Sequence, residues 1–434
     1  MKATEVRPFL EKHILADAYQ QVPDFEKSHG SYMVDLRDGQ EYLDFCNFYA
    51  SMPLSYDTEA TGKEFQAEIQ KYCRFKPANC DFYTVPFANF IEALSGILPR
   101  ELRSHIFYID TGGLANENAM KTAFDWKTRK NLQKGITKES DKIIYFERAF
   151  HGRNGYALSC TNSPHKAKTM YFPRFDFHMV DPAPVLTYDD DSDNDAKVDA
   201  MAADIRAFCA AHPYEVAGLI VEPIQGEGGD RHFSKYFFQT LRKLADELEF
   251  LLIFDEVQAG MGQTGKWWAH QHFGVKPDIM TFGKKAQVCG FAASKRIDEV
   301  KDNCFQVSSR ISATWCSNVL DMIRGTYYIN YIVKNNLVEN AAKQGKYMMA
   351  ELKKLEKDYP GLVLHTRDFG MLCAFDLKDG ETRDKFASYA MNTEHMIMLG
   401  CGTQSIRFRP VLDVKREDLE EGFRRIRRVL DAIK

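Results

Sequence analysis

Apolar and polar positions along the chain fall into two textures. Between residues 104 and 284, short apolar runs alternate with stretches in which apolar residues recur every three or four positions. SHIFYID (104–110) reads as a buried strand, and LANENAMKTAFDWKTRKNL (114–132) follows it with helical spacing. KIIYFERAF (142–150), VAGLIVEPI (216–224), EFLLIFDEV (249–257) and PDIMTFGK (277–284) read as further strands, with a helix predicted over 234–248. Such alternation implies crossover connections and a mostly parallel sheet, the α/β class. From about residue 320 the pattern changes to one long helical segment over 326–359, strands over 370–377 and 406–412, and a closing helix over 415–434. That reads as a smaller α+β domain, which the strands and loops of the first 60 residues could join. The expected organisation is therefore an N-terminal segment 1–60 joining the small domain, a large domain 61–325 and a small domain 326–434.

Composition narrows the class. The 434 residues are 44% hydrophobic and 27% charged, ordinary for a globular chain, and the net charge of −4 argues against a nucleic-acid binder. No apolar run approaches the roughly 18 residues that span a bilayer, and the charged N-terminus lacks the apolar core of a signal peptide. The ten cysteines form no CxxC pair and resemble neither a zinc site nor a disulfide framework, which suggests a reducing compartment such as the cytosol. In TYDDDSDNDAK (187–197), Asp191, Asp193 and Asp195 alternate as in a calcium loop. Ala196 and Ala202 stand where such a loop needs glycine and an acid, so a solvated acidic loop is expected. His270-Gln271-His272 reads as surface rather than as a metal pair, and the basic FRRIRRVL (423–430) as the exposed face of the last helix.

In open parallel sheets, ligands gather beyond the carboxyl ends of the strands. Four such ends carry chemistry. Asp255, with Glu256 and Gln258, follows one; Lys284 in GKKAQVCG follows the next. Thr111-Gly112-Gly113 follows another and opens a helix; Phe150-His151-Gly152-Arg153 follows the fourth. Singly, each reads as a solvated lysine, a helix cap or a turn. Together they answer the needs of pyridoxal phosphate (PLP). Its aldehyde needs a desolvated amine, and its pyridine nitrogen a carboxylate that keeps it protonated. Its phosphate needs free N–H groups at a helix start, and its ring a flat aromatic neighbour. Lys285 competes for the aldehyde; Lys284 ranks first because it directly follows the glycine that ends the strand.

IFDEVQAGMGQTG (253–265) followed by PDIMTFGKK (277–285) resembles the class III (ω-) aminotransferases of PLP fold type I, from about residue 30 to the end. EPIQGEGGDRHF (222–233), AFHGRNGY (149–156), NENAMKTAFDWK (116–127) and FGKKAQVCG (282–290) are most similar to the L-lysine 6-transaminases within that family. The resemblance implies a large domain with a mostly parallel seven-stranded sheet, and a smaller α+β domain built from both terminal segments. It implies that Lys284 holds PLP and moves protons at the substrate carbon, that Asp255 pairs with the ring nitrogen and that Gln258 contacts the ring 3-hydroxyl. Phe150, or His151 beside it, would cover the ring face, and Thr111, Gly112 and Gly113 would cradle the phosphate. Thr314 would reach the phosphate of a neighbouring subunit, implying a homodimer with shared sites and aromatics at 326–332 that are partly interfacial.

For substrates, the resemblance implies that Arg153 clamps the α-carboxylate of lysine and Arg407 that of 2-oxoglutarate. Glu227 would mask Arg407 while lysine is bound; a fixed structural ion pair is the plainer reading of that glutamate. The chain departs from the family pattern at Asp110 and Thr111, at Ser312 where asparagine is usual, and at Cys316-Ser317 in place of two glycines. The activity so implied is transfer of the ε-amino group of L-lysine to 2-oxoglutarate. Ornithine, 4-aminobutyrate or a diamine as donor, an aminomutase and a non-catalytic relative are the alternatives.

Overall fold

The computed structural model describes residues 1–186 and 192–434. Residues 187–191 of the 187–197 acidic segment, Asp191 among them, lie outside the described residues; Asp195 falls in the first turn of a helix, Asn194–Ala211.

Seven strands build the central sheet: β1 (His105–Ile109), β2 (Lys142–Phe146), β3 (His178–Val180), β4 (Val216–Val221), β5 (Leu251–Asp255), β6 (Ile279–Phe282) and β7 (Cys289–Ala293). Their spatial order is β1-β7-β6-β5-β4-β2-β3. β7 runs antiparallel to both neighbours, and the pairs β6–β5, β5–β4, β4–β2 and β2–β3 are parallel. Sequence periodicity missed β3, which has three residues, and β7, whose CGFAA is too poor in large apolar residues to stand out. β4 and β5 are buried along their whole length, as strands covered on both faces must be. The covering helices include Gly112–Gln133 on one side, with Ala115, Ala119, Ala123 and Trp126 buried, and Lys235–Glu247 on the other, with Phe237, Phe238, Leu241 and Leu244 buried.

A second core joins both ends of the chain. Leu43, Phe45 and Leu54 pack with Met348, Leu352, Phe375, Phe408, Phe423 and Ile426. Around them lie a four-stranded sheet containing Val363–Phe369, Leu372–Leu377, Leu399–Cys401 and Ser405–Arg407, and a small sheet in which Glu41–Asp44 pairs in parallel with Met396–Ile397. The fold is thus α/β, with a large, mostly parallel seven-stranded sheet and a smaller α+β part. The long helical segment is two helices, Val319–Lys334 and Leu337–Asp358. They break at Asn335-Asn336, where Asn336 is left-handed (φ 53°), a conformation asparagine tolerates. The aromatics there are engaged within the chain: Tyr327 packs edge-on against Phe65, and Tyr328 lies in the second core.

Two further expectations are corrected. His270 is buried, not surface: its Nδ1 lies 2.7 Å from Glu256 Oε1, a carboxylate that also takes the N–H groups of Ala269 and His270. That network satisfies a buried acid beside the strand end. Cys80 and Cys316, 236 positions apart, form a disulfide that sequence spacing gave no reason to expect.

Candidate active site

Strand direction brings the predicted residues together. β5 ends at Asp255, and β6 is followed by Gly283 and Lys284. Asp255 is buried and held from three sides. Oδ2 lies 2.8 Å from His151 Nδ1 and accepts from Asn116 Nδ2 at 2.7 Å; Oδ1 accepts the Val257 N–H at 3.1 Å. Asn116 also donates to the His151 carbonyl at 2.7 Å. His151 therefore backs the carboxylate and is not free to cover a ring face.

Lys284 has a left-handed backbone (φ 46°) that turns its side chain off the strand line. Burial, then the Arg407 and Arg409 guanidinium groups, push its amine from 10.5 down to about 8; Asp255 and Glu222 oppose the shift. Its Nζ donates to the Tyr49 carbonyl at 3.3 Å. Lys285 is the more deeply buried of the two, but its Nζ is bound to the Gln258 carbonyl at 2.6 Å. The two lysines thus point to different partners.

Tyr49 reaches this position through an unusual turn. Asn47, Phe48, Tyr49 and Ala50 have φ of 46°, 51°, 59° and 64°, four left-handed residues in succession without a glycine. Each such residue costs roughly 1–2 kcal/mol, so the turn persists only because its surroundings fix it. Asp44 Oδ1 takes the N–H groups of Cys46 and Asn47, and Asn47 Nδ2 donates to the Arg409 carbonyl at 2.6 Å. Nothing in the sequence announces this turn.

A wall of arginines faces Lys284. Arg407 and Arg409, two apart on an extended segment, are both buried. Arg409 grips Asp230 with Nη1–Oδ2 at 2.9 Å and Nη2–Oδ1 at 2.5 Å, and also donates from Nη2 to Gln258 Oε1 at 2.8 Å. Arg407 Nη1 donates to the same Gln258 oxygen at 3.1 Å, and its buried Nε has no partner among the described residues. The Gln258 oxygen is thus committed to the two arginines. Glu227 does not pair with Arg407. Its Oε1 accepts from Ser163 Oγ at 2.9 Å and from Lys168 Nζ, and its Oε2 is buried without a partner.

Thr111 caps the Gly112–Gln133 helix from a left-handed backbone (φ 75°). A Cβ on Gly112 would come within 2.9 Å of Val257 Cγ1, and one on Gly113 within 2.3 Å of Asn154 Oδ1, so the backbone there admits no side chain without displacing a neighbour. A free helix N-terminus with such close approach suits a phosphate. Arg153 is exposed beside this helix start, and Thr314 is exposed on a loop tied to Cys80 through Cys316. A PLP ring fits the arrangement: a helix start open to a phosphate, a fixed carboxylate at the end of a central strand and, within its electrostatic reach, an amine of lowered pKa.

Glu222 was missed by sequence reasoning, although it directly follows β4 much as Asp255 closes β5. It is buried, and takes the N–H groups of Phe150 at 2.9 Å and Gly226 at 3.2 Å. Burial, with Asp255 and Glu227 nearby, holds its carboxyl well above the usual carboxylate range. Asn116, one turn into the helix, follows from the same rule. Arg409, Asp230, Ser163 and Lys168 carry no sequence signal of their own.

The family model for class III aminotransferases matches residues 15–430. The L-lysine-epsilon aminotransferase of Amycolatopsis lactamdurans is 41% identical over 426 residues, covering 97% of this chain and 94% of that protein. Human mitochondrial 4-aminobutyrate aminotransferase is 33% identical over 433 residues, covering 92% of this chain and 82% of that protein. The solved structure of lysine aminotransferase from M. tuberculosis in the internal aldimine form superposes with a TM-score of 0.97 at 40% identity, covering all of both chains. A taurine:2-oxoglutarate aminotransferase from Bifidobacterium kashiwanohense, at 21% identity and a TM-score of 0.84, shares the fold. Matched over nearly its whole length, this chain belongs to the class III aminotransferases, PLP enzymes that act on an amino donor and a keto acid.

Proposed function

We propose that this enzyme moves the ε-amino group of L-lysine to 2-oxoglutarate. The products are glutamate and 2-aminoadipate 6-semialdehyde, which cyclises to piperideine-6-carboxylate. Bound in the cleft, PLP supplies an aldehyde for the amino group and a ring that delocalises the electron pair on the substrate carbon. Lys284 holds the cofactor and carries the proton at that carbon, a task for which an amine near pH 8 is suited. Asp255, oriented by His151 and Asn116, keeps the ring nitrogen protonated. Thr111, Gly112 and Gly113 seat the phosphate, Phe150 covers the ring and the amide nitrogen of Gln258 meets its 3-hydroxyl. Arg153 takes the α-carboxylate of lysine and Arg407 that of 2-oxoglutarate, each by a guanidinium fork.

The observation that carries the reading is the wall of arginines near Lys284. Arg407 lies buried within electrostatic reach of the lysine amine, and its Nε has no partner among the described residues, a donor that a keto-acid carboxylate would satisfy. The likeness to lysine enzymes over nearly the full chain supports lysine as the donor. The reading also includes a homodimer with shared sites, in which Thr314 reaches the phosphate of the partner copy, and a cytosolic location. Phe75, Phe82, Tyr83 and Val85, each at least 68% exposed in the single chain, flank the Cys80 attachment of the Thr314 loop and form an apolar surface suited to a second copy. No described helix is long and apolar enough to cross a membrane.

A spectroscopic titration tests the donor. L-lysine should bleach the visible cofactor band and 2-oxoglutarate restore it, while ornithine, 4-aminobutyrate and cadaverine leave it largely intact. Bleaching by 4-aminobutyrate in preference to lysine would reassign the donor.

A further inference from the structure

The position of Glu227 raises a question that its expected role leaves open. A glutamate that must leave Arg407 to admit a dicarboxylate needs somewhere to go, because a buried carboxylate without partners is costly. In this structure Glu227 lies in such a place. Its Oε1 is bound by the Lys168 ammonium and by Ser163 Oγ at 2.9 Å. Both side chains of the ion pair are mostly buried, 20% and 16% exposed, where an ion pair is screened less than on the surface. Lys168 arrives from a short 3-10 turn, Lys166–Lys168, and its Nζ lies 5.6 Å from the centre of the Phe150 ring, so it belongs to the wall of the same cleft.

Two atoms remain unmatched across the cleft. Glu227 Oε2 and Arg407 Nε are both buried, and neither has a hydrogen-bond partner among the described residues. Glu227 nonetheless lies within electrostatic reach of Arg407. The carboxylate thus stands between two cations, held by one and attracted by the other. We propose that Lys168 and Ser163 form the seat that draws Glu227 away from Arg407, so that Lys168 is a positioning residue for the keto-acid half-reaction. With Glu227 seated on Lys168, Arg407 is open to the α-carboxylate of a dicarboxylic keto acid. With the glutamate on Arg407, the wall is neutral and suits the aliphatic chain of the donor. Lys168 need not touch either substrate, since it acts through the population of one glutamate position.

This inference rests on the assignment of Arg407 as the keto-acid site, and its test keeps the two apart. Glutarate, an unreactive dicarboxylate, serves as the probe on the PLP-loaded holoenzyme, its dissociation constant measured by calorimetry. Lys168→Met should weaken glutarate about tenfold, the expected penalty if the open position falls to about a tenth of the population. The same variant should raise the KM for 2-oxoglutarate and should not slow cofactor bleaching by lysine, since it favours the glutamate position that suits the donor. Lys168→Arg, which keeps a cation for Glu227, should retain most of the affinity. In a Glu227→Gln background, Lys168→Met should no longer affect glutarate, because the competitor is gone. A loss that persists in that background, an equal loss in both half-reactions, or no loss at all would overturn the proposal. Failure of glutarate to depend on Arg407 in the parent enzyme would instead overturn the assignment of the keto-acid site.

Discussion

At pH 7 an ordinary lysine amine, with a pKa of 10.5, is free base in only about one molecule in three thousand. Burial and the two arginines bring Lys284 to about 8, so roughly a tenth of it is free base at that pH, about 300 times more. Only the free base attacks an aldehyde, so the shift governs how fast cofactor-free enzyme captures PLP. The assay is stopped-flow capture of PLP by the apoenzyme from pH 6 to 10, followed by the visible band. The logarithm of the rate should climb with unit slope to about pH 8 and then level. Arg407→Met, which removes a like charge from beside the amine, should move the break to higher pH. A rate that climbs without a break to pH 10 would refute the argument, as would a break that Arg407→Met leaves in place.

The remaining predictions address the frame around this amine. Asp230→Asn leaves the fully buried Arg409 without its carboxylate and should cost about 3–5 kcal/mol in urea unfolding of the apoenzyme; a change below about 1 kcal/mol would mean the pair is solvated. Lys284→Met should stabilise the apoenzyme at pH 7, by at most about 3 kcal/mol and by less where water reaches the cleft. Because the folded pKa lies below the unfolded one, that gain should persist up to pH 8 and vanish as the pH rises through 10.5. Arg153→Ala should raise the KM for lysine about tenfold or more and leave the slow background bleaching by cadaverine, which has no carboxylate, unchanged; equal effects on both would remove Arg153 from carboxylate binding. Non-reducing peptide mapping should recover the Cys80 and Cys316 peptides joined, and finding both as free thiols would contradict the link.

Much of this was legible in the chain because strand ends have a local signature. IFDEV and MTFGK announce buried strands by apolar runs, and the first polar residues beyond them, Asp255 and Lys284, fall on one edge of the sheet. The same rule would have found Glu222 after β4. Other parts were not legible, for physical reasons. β7 is a strand of small residues whose place comes from pairing with Tyr108 and Phe282, not from its own periodicity. The left-handed turn at 47–50 is held by Asp44 just before it and by the Arg409 carbonyl, a partner remote in sequence, and no glycine marks it. The break at Asn336 lies inside an unbroken helical pattern, where one left-handed residue decides the geometry. Lys168 meets Glu227 only because two loops converge, and no spacing encodes that.

The central claim, that the nitrogen leaving lysine is the distal one, is tested most directly by its isotope. The holoenzyme would be given 2-oxoglutarate with lysine carrying 15N at either the ε or the α position, and the glutamate formed would be analysed by mass spectrometry. Label should reach glutamate from ε-labelled lysine and not from α-labelled lysine. Label arriving from the α position would contradict the account, since it would place the α-amine at Lys284 and leave Arg153 without the carboxylate it is assigned to hold.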